Sequence, residues 1–228
     1  MRAGTPSASS RLELTYAGKH TGLRLGDDYF LYKTGSQTFV PNPVPMVFVG
    51  YGIVAPEFDY SDYHSVDVEG KVVVFLSGEP ASNDPSFFNG TAPSIHSYPE
   101  IKQRVALSRG ARGSILIPNP REEQSRDWDF WTSEFSFEHV TLAYRPAGNL
   151  SILINPKTAT GLFRGTPFTL QGLHRLDRTG HMKSFDLESR VSFRGEFQSR
   201  EFLGSNVIGL LEGHEDQLKD SFLIVSAH

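Results

Sequence analysis

The chain contains no cysteine, which excludes a disulfide framework and thiolate-ligated metal sites. It has no surplus of cations either. Its 22 Lys and Arg stand against 26 Asp and Glu, a formal net charge of −4, so the basic footprint of a nucleic-acid-binding protein is missing. No stretch approaches the roughly 18–20 consecutive apolar residues that span a bilayer, so no membrane span is expected. Met1 to Ser10 carry one arginine and no apolar core, unlike a signal peptide, and an export signal would have to lie upstream. No Gly-x-Ser-x-Gly elbow occurs, which leaves a serine hydrolase unsupported. What is present is the make-up of a folded protein. Over 228 residues, 38% are hydrophobic and 12% aromatic, enough to bury a sizeable core in one or two domains.

Residues Arg11 to Val40 carry short apolar patches, Leu12-Leu14-Tyr16 and Leu23-Leu25, between glycines, a pattern of short strands and turns. Pro41, Pro43 and Pro45 bias their neighbours away from helix and mark an extended entry to the apolar run Met46 to Val49. A second buried strand spans Lys71 to Leu76. Residues Ala81 to Ser94 are rich in Pro, Asn, Ser and Gly and read as an irregular loop. Ser97 with Glu100 forms a capping-box pattern, Pro99 suits a first helical turn, and the predicted helix carries Ile101, Val105 and Ser108 on one face, with Ala106 beside them, before stopping at Gly110. Gly113 to Ile117 then closes a strand–helix–strand unit. An aromatic loop, Arg121 to Glu138, is read either as an exposed patch or as a cover for a small core. Ser151 to Ile154 is a further strand, with Asn155-Pro156 capping a short helix. Beyond it, Phe185, Leu187, Val191, Phe193 and Phe197 alternate with polar residues, the period of a long strand with one wet face. The apolar run Phe222 to Ala227 reads as a buried strand that delivers His228, a residue type suited to metal ligation or proton transfer at a strand's carboxyl end.

Several patterns invite a functional reading and mostly fail it. Gly50-x-Gly52-x-x-Ala55 matches a dinucleotide-binding fingerprint in outline, but Pro56 follows at once, where a helix must begin to meet the pyrophosphate. These glycines are read instead as a tight turn. His20, His64, His96, His139, His174, His181 and His214 show no metal-ligand spacing. Asp59, Asp62 and Asp67 lack calcium-loop spacing and are read as a solvated loop face.

Two stretches taken together resemble a known family. Phe48-Val49-Gly50-Tyr51-Gly52-Ile53-Val54-Ala55-Pro56-Glu57, then Asp62-Tyr63 and Asp67-Val68-Glu69-Gly70-Lys71-Val72-Val73-Val74, resemble the protease-associated (PA) domain inserted in zinc aminopeptidases of the di-zinc exopeptidase family. Ala106 to Ile117 is similar to the later part of that domain. Asn206-Val207-Ile208-Gly209-Leu210-Leu211-Glu212-Gly213 and Phe222 to His228 resemble the opening strands of the catalytic domain.

The resemblance implies a fold of the α/β (α+β) class: a PA-domain mixed β-sandwich with flanking helices, plus the first strands of a truncated α/β peptidase domain. It implies three segments: an extended segment over 1–40, the PA domain over 41–178, and the start of the peptidase domain over 179–228. It implies hydrolysis of N-terminal peptide bonds of a peptide or protein substrate by metal-activated water on two zinc ions, with His228 as one zinc ligand. The other ligands and the general base belong to the missing remainder of the peptidase domain, so the chain alone is expected to be inactive and not to hold zinc. A secreted, periplasmic or cell-surface location for the full-length protein follows from the same likeness. Trp128 and Trp131 are the candidates for shaping substrate access. The alternative is a non-catalytic PA module that binds a protein or peptide. A nucleotide-binding enzyme is a weaker third reading that requires a helix beginning at Ala55.

Overall fold

In chain order the elements are β1 (Arg2–Pro6), β2 (Arg11–Tyr16), β3 (Lys19–Leu23), β4 (Tyr29–Leu31), β5 (Phe39–Val49), β6 (Val54–Ala55), β7 (Tyr60–Ser61), β8 (Val72–Leu76), α1 (Pro99–Ser108), β9 (Gly113–Ile117), α2 (Trp128–Glu134), β10 (His139–Thr141), β11 (Leu150–Ile154), α3 (Pro156–Ala159), α4 (Leu170–Asp177), β12 (Ser184–Arg194) and β13 (Phe197–Glu201). The computed structural model describes residues 2–31, 39–120, 126–135, 139–141, 149–177, 182–211, 221 and 223–226. An 8-stranded mixed sheet has the order β3-β2-β12-β5-β8-β9-β11-β4. Within it β5, β8, β9 and β11 run parallel, while β12, β2, β3 and β4 each run antiparallel to their neighbours.

Parallel strands covered on both faces carry continuous apolar runs rather than alternation. Val72–Leu76, Gly113–Ile117 and Leu150–Ile154 are accordingly buried at every position. Alternate side chains feed two cores. Met46, Phe48, Val72 and Val74 join the core capped by Ala159, Leu162, Leu170 and Leu173 of the α3–α4 region. Val47, Val49, Val73 and Phe75 join the other, covered by Ala106 of α1 and by Trp128 and Trp131 of α2. The expected strand–helix–strand unit is therefore present as β8, α1 and β9, with the parallel ladder Val72↔Gly113 to Leu76↔Ile117.

Three sequence expectations are corrected. Ser97 does not cap α1. It lies in a 3-10 turn, Ile95–Ser97, capped by Ser94, and its Oγ donates to the Ser94 carbonyl; α1 begins at Pro99, with no side-chain cap at Tyr98. The buried face of α1 carries Lys102 and Ala106, because the Lys102 amine finds carbonyl partners under the sheet end, while Ile101 and Val105 remain half-buried. The alternation from Phe185 to Phe197 is also two strands rather than one. β12 ends at Arg194, and Glu196 leaves the ladder: its N–H donates to Ser10 Oγ and its carbonyl accepts from Ser7 N. β13 then joins β1 and β10 in a separate 3-stranded sheet.

β12, the first element of the 179–228 segment, lies between β2 and β5 and buries Leu187, Val191 and Phe193. Farther on, the expected strands do not form among the described residues. Val207, Ile208 and Leu211 are 97%, 91% and 95% exposed, and Leu223, Ile224 and Val225 are similarly bare. An apolar run becomes a strand only when a neighbour supplies hydrogen-bond partners and a face to cover, and these segments meet neither. His228 lies outside the described residues.

Candidate functional site

The parallel strands β8, β9 and β11 share a carboxyl edge, the place where open α/β sheets receive ligands. There the chain opens a cleft of about 920 Å³. Its floor is built where β8 and β9 end. Gly78 has φ +73, and a Cβ there would sit 2.8 Å from Asn119 Nδ2, so only glycine lets the two loops meet. The Asn119 N–H donates to Ser77 Oγ (2.9 Å) and its Nδ2 donates to the Ser77 carbonyl (2.6 Å). One wall is the polar loop that follows Gly78. The buried Glu79 carboxylate anchors it, accepting from Ser94 N (2.7 Å) and from the Ser94 hydroxyl. Residues Ala81, Ser82, Asn83, Gly90 and Thr91 of the loop face the cleft.

That loop is irregular, as its composition indicates, yet it has its own core. Phe88 is fully buried against Phe58, Tyr60, Phe87 and His96, with ring centroids 4.6–5.6 Å away. The turn that places it puts Phe88 and Asn89 at positive φ. His96 Nε2 and Glu57 Oε1, 2.8 Å apart, tie the loop to the 3-10 turn at Pro56–Phe58. That single turn replaces the helix a nucleotide site would require after Ala55, and Gly50 and Gly52 form a tight turn at φ +52 and +70 instead.

The opposite wall is α2, which forms inside the aromatic loop, where Asp127 caps it by accepting from Phe130 N (2.9 Å). Its two tryptophans do different work. Trp128 donates from Nε1 to the Gly26 carbonyl (2.8 Å) and stacks on Phe30 at 5.1 Å, covering the second core. Trp131 lines the cleft together with Glu134 and Phe135, and the Arg126 guanidinium lies 5.8 Å from its ring centroid. Residues 126–135 thus fold back over Phe30, and their helix places Trp131 in the cleft lining.

Beneath the floor lies a buried polar cluster that the sequence did not reveal. The Lys102 amine donates to the carbonyls of Leu76 (3.0 Å) and Gly78, and sits 5.2 Å from the Tyr51 ring centroid. The Asp62 carboxylate accepts from Tyr51 N (3.2 Å), Ile53 N (3.0 Å) and the Tyr60 hydroxyl (2.8 Å). Tyr51 OH donates to Asp177. Asp59 and Asp67 are exposed, as a solvated loop face would be, but Asp62 is buried, because the Gly50–Ile53 turn wraps it in amide donors. Burial pushes its carboxyl up to about 6, against the opposing pull of the Ile53 amide, the Tyr60 hydroxyl and Lys102. Burial and Asp62 likewise push the Tyr60 phenol far up. The signal available in the sequence was Gly50 itself: a Cβ there would approach Asp62 Oδ1 to 2.5 Å.

The described residues bring together no group of three or more His, Asp or Glu that could hold a metal ion. A zinc site therefore does not fit the residues at hand. Of the carboxylates and carboxamides that line the cleft, Glu79 and Asn119 bond neighbouring backbone and hydroxyl groups and hold its walls, while Glu134 and Asn83 also face it.

No protein-family model matches the chain, and no curated protein matches it. Among solved structures it is similar to an aminopeptidase from Aneurinibacillus sp. strain AM-1, with 14% identity and a TM-score of 0.37, over 87% of this chain and 34% of that one. It is also similar to BSAP, a zinc aminopeptidase from Bacillus subtilis, with 13% identity and a TM-score of 0.33, over 87% of this chain and 35% of that one. The chain spans about a third of the length of these structures.

Proposed function

We propose that this chain is the substrate-admitting, non-catalytic part of a zinc aminopeptidase, a protease-associated unit whose cleft receives an extended peptide. The observation that carries this reading is the cleft beyond β8, β9 and β11, with Trp131 and Phe135 on one wall and Tyr98 on the other. The residues that resemble the protease-associated domain also build its surroundings. The Gly50–Ile53 turn accepts the Leu76 amide at Gly50 O (2.9 Å), and Val72–Leu76 leads directly into the floor. A unit over 41–178 followed by the start of a peptidase domain over 179–228 belongs to the same proposal. So do two zinc ions in the complete enzyme, His228 as one of their ligands, and export of the full-length protein.

Hydrolysis of the N-terminal peptide bond falls, in this reading, to residues outside those described. The purified chain should neither retain zinc after dialysis nor hydrolyse leucine anilide, and a zinc-dependent rate from it would overturn the assignment. In the complete enzyme, Trp131→Ala should alter turnover of longer peptides more than that of a single-residue amide, because only a longer chain reaches the cleft. Equal effects on both substrates would count against substrate admission and favour the same cleft acting as a stand-alone binding module.

A further inference from the structure

The cleft's polar wall is held by a turn of unusual make-up. Gly90 N donates to the Phe87 carbonyl (3.0 Å), closing a turn whose central residues, Phe88 and Asn89, have φ +49 and +60. Positive φ at both positions is the pattern of type I′ turns, and a bulky ring rarely adopts it. The turn persists because Phe88 is fully buried among Phe58, Tyr60, Phe87 and His96. Gly90, at φ +65, is required as well, since a Cβ there would lie 3.3 Å from the Asp84 and Pro85 backbone. Between these two fixed positions sits Asn89, exposed to water, in the one Asn-Gly pair of the sequence.

Asparagine is a thermolabile residue, and a following glycine exposes it most, because no Cβ shields the glycine nitrogen. That nitrogen, on losing its proton to water or hydroxide, bonds to the asparagine Cγ; the Cγ–Nδ2 bond breaks and ammonia leaves. Water then opens the cyclic imide at either carbonyl, giving aspartate or isoaspartate. The other asparagines are poorer candidates. Asn42, Asn119 and Asn155 precede proline, whose nitrogen carries no hydrogen, and Asn83, Asn149 and Asn206 precede residues with a side chain. The fold restrains Asn89 too. Closing the imide swings the Gly90 nitrogen onto Cγ, which breaks its bond to the Phe87 carbonyl and disturbs the bond from Ala92 N to the Asn89 carbonyl (3.3 Å). We propose that Asn89 is the site of spontaneous deamidation in this chain, that the turn seated by Phe88 sets its rate, and that isoaspartate there loosens the cleft wall. Isoaspartate adds a carbon to the main chain and a carboxylate beside Gly90 and Thr91, both of which line the cleft. Nothing in this chemistry depends on the peptidase reading.

The folded protein, the same chain unfolded in guanidinium chloride, and the blocked peptide acetyl-Ser-Phe-Phe-Asn-Gly-Thr-Ala-amide are incubated near neutral pH. Conversion is followed by peptide mapping and by isoaspartate-specific methylation. In the unfolded chain Asn89 should convert faster than every other asparagine. In the folded protein it should convert at least about tenfold more slowly than in the peptide, because reaction waits for the turn to open. Phe88→Ala, which removes the buried ring, should bring the folded rate to within about threefold of the peptide's. The comparison of unsubstituted protein with peptide decides the matter even if that variant folds poorly. Equal rates in folded protein and peptide, or another asparagine converting first in the unfolded chain, would each overturn the proposal. Full protection in a folded Phe88→Ala protein would overturn the role given to the ring. The converted protein, separated by ion exchange through its added negative charge, should exchange the Gly90 and Ala92 amides about fivefold faster than the parent. Identical exchange at those amides would overturn the link to the cleft wall.

Discussion

Replacing Asp62 by asparagine should change how stability depends on pH, and the size of the change follows from the surroundings of the carboxylate. Asp62 is buried, and the donors that reach it, from Tyr51 N, Ile53 N and the Tyr60 hydroxyl, together with nearby Lys102, do not fully offset the loss of water. Its carboxyl is pushed from 3.8 up to about 6, so the folded protein binds this proton more tightly than the unfolded chain does. The resulting stability is fully present below about pH 4 and is lost as pH rises through 6, by roughly 3 kcal/mol in all. Asparagine keeps an amide oxygen for the two backbone donors and cannot ionise. Urea unfolding of both proteins from pH 4 to pH 7.5 should therefore show Asp62→Asn gaining up to roughly 3 kcal/mol on the parent across that range. The difference between the two curves cancels the exposed carboxylates, including Glu57 and Asp84, which titrate in both proteins. Parallel curves, or a gap that moves the other way, would refute the reasoning. Either would mean that Lys102 and the three donors hold the ionised form more strongly than burial disfavours it.

Gly50→Ala should cost about 2–4 kcal/mol, since it combines strain at φ +52 with a Cβ 2.5 Å from Asp62 Oδ1. Gly70→Ala, at φ +71 but with nothing within 4 Å, should cost only about 1 kcal/mol, and similar losses in thermal unfolding would show that contact with Asp62 is irrelevant. Lys102→Met keeps the buried stem but removes the amine shared by the Leu76 and Gly78 carbonyls. It should lower stability by about 1–2 kcal/mol and speed amide hydrogen exchange at Gly78 and Glu79, and unchanged exchange there would remove Lys102 as a support of the cleft floor.

The elements legible in the sequence are those whose cause is local. Val72–Leu76 and Gly113–Ile117 read as buried strands because parallel strands covered on both faces leave no polar position to confuse the pattern. Pro99, Asn155-Pro156, and Gly50 with Gly52 mark real boundaries, since each fixes backbone geometry through its own covalent structure. Trp131 was a fair candidate from aromatic density alone, but nothing local separated it from Trp128. That separation arises because Phe30, a hundred residues away on β4, takes up Trp128 and turns the other ring toward the cleft. From the sequence Asp62 reads as part of a solvated loop face and nothing marks Lys102, because burial of a charge depends on which carbonyls and amides other segments bring to it.

The sequence by itself determined the strand–helix–strand frame, the turn at Gly50 and the absence of thiolate chemistry. All of these are properties of short runs and of composition. Only the tertiary structure decided that the carboxyl ends of β8, β9 and β11 converge on a cleft, that Asp62 and Lys102 lie beneath its floor, and that Trp131 faces into it. It also decided that the apolar runs at 207–211 and 223–225 form no strand among the described residues. A strand's period is written in its own residues, whereas its partners, and the environment that sets a buried charge, are supplied by segments far along the chain.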